Sequence, residues 1–148
     1  MALANMTQAE TNEYNRNHCK LIADELDAIA QGLLYKCSEC GNIVNINDVL
    51  EDSDDIYGTC TECEELASFE QLSAFDYFED VYDIKYTVDA NREYFGVCLM
   101  VACGGPNIYV DTVSGQVELY WWGDKASYPL SSDAQQLVDE FGEELYNC

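Results

Sequence analysis

The residues with the clearest chemical potential are two cysteine pairs, Cys37-Ser-Glu-Cys40 and Cys60-Thr-Glu-Cys63, separated by nineteen residues. This C-x₂-C…C-x₂-C spacing reads as a metal site: each tight knuckle aims two sulfurs at one ion, and two knuckles complete a tetrahedron. Gly41 follows the first pair and suits a knuckle's need for positive φ. Glu64 follows the second and makes that half of the signature weaker. The expectation is one structural Zn²⁺ held by Cys37, Cys40, Cys60 and Cys63. Two disulfides or four free thiols are the alternatives, and a reducing compartment favours the metal. Four thiolates and a divalent ion would move the formal charge from −23 to −25.

The remaining chemistry is sparse. Cys19, Cys98, Cys103 and Cys148 lack ligand spacing, and Cys98 and Cys103, in or just after an apolar strand, read as small buried hydrophobes. His18, the only histidine, adjoins Cys19, but neighbours on a helix point about 100° apart, which argues against a nucleophilic pair. No phosphate-binding glycine loop, zinc-protease motif or nucleophile elbow is present, so an enzyme is not expected.

Charge defines the rest of the functional reading. Six Lys and Arg face 29 Asp and Glu, which disfavours direct binding to nucleic acid or anionic lipid and points to cationic partners. Between Cys37 and Ile84 stand fourteen acids and no Lys or Arg. Solubility needs a net charge of only about 2 to 8 in magnitude, and crowded like charges destabilise a fold, so this segregation calls for a function.

These side chains need a scaffold. The chain has 148 residues, 48% of them apolar and 12% aromatic, enough for a core. Ile22, Leu26, Ile29 and Leu33 recur at helical spacing and predict a helix over 8–34. Residues 36–66 read as a small zinc-ribbon-like module that needs its metal to fold. A capping box at Ser73 predicts a helix to about Asp83, with Asp76, Glu79, Asp80 and Asp83 on one face. Alternating runs 84–88, 94–102, 107–112 and 116–122 predict a four-stranded antiparallel meander. Ser131 or Ser132 then opens a last helix with Leu137, Val138, Phe141 and Leu145 as its apolar stripe.

The fold class is therefore α+β: an amino-terminal helix (1–35), the Cys₄ module (36–66) and an acidic α-β-β-β-β-α domain (67–148). In the strand from Val117 to Trp122, Glu118, Tyr120 and Trp122 share one side. If helices cover the other, these join Tyr109 on an open face suited to Arg-rich surfaces. No run reaches the roughly 20 apolar residues of a membrane span, and residues 1–30 lack a signal-peptide pattern, so a soluble cytoplasmic protein is expected.

Three segments, Ser73-Ala-Phe-Asp-Tyr-Phe-Glu-Asp80, Met100-Val-Ala-Cys-Gly-Gly-Pro-Asn-Ile-Tyr-Val-Asp111 and Val117-Glu-Leu-Tyr-Trp-Trp-Gly-Asp124, resemble small acidic proteins carried by phages and mobile elements of gut Firmicutes. That group is associated with type II anti-CRISPR proteins, inhibitors of Cas9, and the resemblance covers roughly residues 70–146. It implies a non-catalytic inhibitor in a bacterial host cell whose acidic surface mimics nucleic acid against Cas9 or its guide-RNA complex. A zinc-ribbon adaptor of a mobile element and an antirestriction DNA mimic are the alternatives.

Overall fold

Thr7 opens the first helix, α1 (Gln8–Ala30), by accepting the Glu10 N–H on its side chain. The helix stops well before residue 34. Gly32 adopts φ +73, the Gly32 N–H donates to Ile29 and the Leu33 N–H to Ala28 (2.9 Å), which is a Schellman closure that turns Leu33 out of the helical stripe. The computed structural model containing this helix describes residues 6–49 and 57–148. Glu51, Asp52, Asp54 and Asp55 of the expected acidic run lie outside the described residues, as does the side chain of Asp48.

Beyond Gly32 the chain forms two antiparallel sheets. The first contains β1 (Leu34–Cys37), β2 (Ile43–Asn45), β3 (Tyr57–Thr59) and β4 (Leu66–Gln71) in the order β2-β1-β4-β3, with a one-turn helix α2 (Ile46–Val49) after β2. Its strands run past the boundary expected at residue 66. Its core is small: Val44, Ala67 and Phe69 pack with Cys37 and Cys60. A backbone bond from Ile46 to Leu33 (2.8 Å) ties it to the turn after α1, and one from Leu72 to Leu34 (2.9 Å) continues the β1–β4 pairing.

The carboxy-terminal half follows from a one-turn helix, α3 (Ala74–Tyr77), into a five-stranded meander of β5 (Asp83–Val88), β6 (Tyr94–Ala102), β7 (Asn107–Asp111), β8 (Gln116–Trp121) and β9 (Asp124–Pro129), in that order. The sheet thus has one strand more than the four expected. β9 carries only Ala126 and Tyr128 toward the core cluster, too little alternation to announce a strand, and its Pro129 is tolerated because it ends an edge strand. Trp122 and Gly123, at φ 52 and 81, form the two-residue turn before it; paired positive φ values are the geometry of a type I′ hairpin.

Helix α4 (Ser132–Tyr146), capped by Ser131, lies with α1 against one face of this sheet. Val97, Leu99, Ile108, Val110, Val117 and Leu119 from the strands meet Cys19, Ala23, Leu26, Ala134, Val138 and Phe141 from the helices. Gly142 is the point of closest approach, where an added Cβ would come within 2.6 Å of Val97 and of the Tyr94 hydroxyl. Among the described residues, no helix is long and apolar enough to cross a membrane.

Candidate metal centre and acidic surface

The two cysteine knuckles have the same backbone. Gly41 donates to the Cys37 carbonyl (3.0 Å) and Glu64 to the Cys60 carbonyl (2.9 Å); Cys37 and Cys60 donate in turn to Asn42 and Glu65. Inside each loop an amide reaches sulfur, Glu39 N–H to Cys37 Sγ and Glu62 N–H to Cys60 Sγ, both at 3.4 Å. Glu64 takes φ 61 where Gly41 takes φ 75. The second knuckle therefore forms without glycine, and the residue that weakened its sequence signature accepts the strained conformation instead.

β1 ends at Cys37 and β4 begins just after the second knuckle, so pairing of these strands brings the knuckles together. The four sulfurs lie within 4.8 Å of one another. Cys37 Sγ to Cys63 Sγ is 3.9 Å and Cys40 Sγ to Cys60 Sγ 3.8 Å, close to the edge of about 3.8 Å for a tetrahedron of thiolates about 2.3 Å from a central ion. Cys37 and Cys60 are buried, Cys63 is half-buried and Cys40 exposed.

The electrostatics match the geometry. The Cys40 and Glu39 amides hold the Cys37 thiol down, to about 7. Cys63 receives the Glu65 amide, yet burial and its contacts with Cys60, Cys40 and Cys37 push its thiol up to about 12. One member of the cluster ionises readily and the next resists, as expected where negative charges must share a small volume. A divalent cation removes that conflict, so the donor set fits a metal ion held by four thiolates.

The acids expected on one helical face are arranged differently. Helix α3 is one turn long, and Asp76 serves its cap: the Asp76 carboxylate accepts the Ser73 N–H (3.0 Å) and hydroxyl (2.8 Å), which hold its carboxyl below the usual range. Glu79 and Asp80 occupy the following turn, and Asp83 opens β5, 3.9 Å from Lys85 Nζ. The helix ends early because Phe78 turns into the core, after which Tyr82 donates to Met100 and the chain extends.

Tyr109, Glu118 and Tyr120 do share the sheet face opposite the helices, since Val117 and Leu119 face the core and Tyr109 pairs in register with Glu118. Glu118 is held by Tyr120 Oη (2.6 Å), Ser114 Oγ (2.9 Å) and Gln116 Nε2 (3.2 Å), all donating. Burial opposes its charge, but these donors and nearby Lys125 keep its carboxyl below the ordinary range, while Tyr120 is pushed up to about 12 by the same bond. The Tyr109 and Tyr120 rings meet edge to face at 6.0 Å. Trp122 sits outside this strand face, at the hairpin turn and 81% exposed.

Among the other cysteines, Cys19 is fully buried and pushed up to about 11 by that burial. Cys98 is half-buried; Cys103, expected inside, is exposed because β6 ends at Ala102. One feature gave no signal in the sequence: His18 and Asp80, sixty-two positions apart, line a common hollow with Tyr77. Comparison of the chain with known protein families, curated proteins and solved structures returned no match.

Proposed function

We propose that this chain is a non-catalytic protein ligand that occupies a basic nucleic-acid-binding surface on its partner, with Zn²⁺ as the ion in its Cys₄ centre. Four soft thiolates in a tetrahedron suit Zn²⁺ and leave no coordination position for water or substrate, so the ion's role is to hold the ribbon together. The observation that carries the functional reading is charge segregation. Fourteen acids without one Lys or Arg span Cys37 to Ile84, and among the described residues of the chain only two ion pairs form, Lys20–Asp24 and Lys85–Asp83.

A surface left so uncompensated attracts a cationic groove over a distance set by the Debye length and repels nucleic acid itself. The resemblance of residues 70–146 to anti-CRISPR proteins narrows the partner to Cas9 or its guide-RNA complex, whose positively charged channel holds the strands and whose arginines read the PAM. On this reading the protein works in the cytoplasm of a bacterial host. The test is a binding assay with purified Cas9, alone and guide-loaded, followed by competition with target DNA. Salt-sensitive binding that DNA displaces supports the proposal; binding that leaves DNA association and cleavage untouched favours an adaptor instead.

A further inference from the structure

Between α1, the turn after α3 and the end of β6 lies a hollow of about 310 Å³, lined by His18, Ile22, Tyr77, Asp80, Val101 and Ile108 among others. Its volume is at the small end of ligand sites and ample for one long side chain. The floor is apolar and continuous with the main core, to which Ile108 belongs. Beside the His18 imidazole, two polar groups offer acceptors. Tyr77 gives its proton to Glu25 Oε2 (2.6 Å), leaving its oxygen as an acceptor, and Asp80 makes no ion pair among the described residues. His18 is steadied by Tyr14, whose ring meets the imidazole edge to face at 6.3 Å. No Lys or Arg lines the hollow, and the two on the same helix, Arg16 and Lys20, stack over Tyr128 instead.

We propose that this hollow receives one arginine side chain of a protein partner. Its apolar stem lies along Ile22, Val101 and Ile108, and its guanidinium reaches Asp80 and the neighbouring acceptors. Charge selects a cation, since an anion would meet an unpaired carboxylate. The apolar lining selects arginine over lysine, because a guanidinium is more weakly hydrated than an ammonium and its planar fork of five donors serves more than one acceptor at once. Buried arginine anchors in pockets are also the commonest charged hot spots of protein interfaces. The inference rests on the reading above that the partner is basic, and it assigns one residue of that partner to one place on this chain.

Because His18 is the only histidine, its ring signals in histidine-labelled protein report on this hollow alone. The full chain is titrated with capped arginine, capped lysine and capped citrulline, the last a neutral isostere. Saturable His18 shifts with arginine, at least about tenfold weaker with citrulline and about tenfold weaker in Asp80→Asn, support the proposal, that factor being the scale of one charge-assisted hydrogen bond. Equal shifts with arginine and citrulline, or none up to saturating millimolar concentrations, overturn it. Cas9 binding is measured in parallel. Binding that persists while capped arginine fails removes this subsite and keeps the proposed function; failure of Cas9 binding while capped arginine succeeds does the reverse.

Discussion

Replacing Cys40 with Ser isolates the contribution of the proposed metal. Cys40 is exposed, so exchanging its sulfur for oxygen disturbs little packing, and any large effect must come through the lost ligand. The ribbon's larger buried apolar side chains are Val44 and Phe69, each contributing about 1.5–3 kcal/mol, whereas a structural zinc ion contributes about 10–16 kcal/mol at pH 7. The metal term is the larger, so Cys40→Ser should melt β1 to β4. The five-stranded sheet has a separate core and should persist. Amide hydrogen exchange reads both at once: amides of Lys36, Val44, Ala67 and Glu70 should lose protection, while those of Leu99, Val110 and Leu119 keep theirs. A chelator should reproduce this in the unaltered chain, with one equivalent of zinc released. Ribbon amides that stay protected in the variant, in protein shown to lack metal, would mean that the ribbon folds without an ion.

Three further predictions follow from local features. Asn15 is buried with its Oδ1 unpaired among the described residues, so Asn15→Leu should stabilise the fold by about 1 kcal/mol or more in denaturant titration. Glu64→Gly should relieve the left-handed backbone of the second knuckle and stabilise the ribbon by about 1 kcal/mol, read as slower exchange of the Cys60 and Glu65 amides. The Ser73 bonds lower the folded-state pKa of Asp76, so its contribution is present above the ordinary carboxylate range and disappears as pH falls through the lowered value. Asp76→Asn should therefore be less stable than the parent at pH 7, with the difference closing in thermal melts as pH falls through that lowered value.

What the sequence revealed depended on whether a pattern was local. The four cysteines were legible because C-x₂-C fixes two sulfurs within one turn, and their spacing already matches a tetrahedral centre. Ser73 and Ser131 were legible as caps for a similar reason; Thr7, which caps α1, was missed although Thr7-Gln-Ala-Glu10 has capping-box spacing. Helix lengths were less legible. The Schellman closure at Gly32 and the inward turn of Phe78 are decided by what the chain packs against, so the helical spacing of Leu33 and of Asp76 to Asp83 continued past the true ends. β9 escaped because a Trp-Gly turn lacks the usual Asn-Gly signature and its strand buries little. The hollow joining His18 to Asp80 arises from α1 crossing the sheet, a tertiary fact that no spacing encodes.

The proposed function requires the acidic surface to take the place of nucleic acid on a basic partner. The most direct measurement is the fraction of target DNA bound by guide-loaded Cas9 as this protein is titrated in, repeated at increasing salt. The claim predicts that prior addition of the protein prevents DNA binding, and that inhibition weakens as the Debye length falls from about 10 Å at 0.1 M to about 3 Å at 1 M salt. DNA bound and cleaved to the same extent with the protein in large molar excess, at any salt concentration, would contradict it.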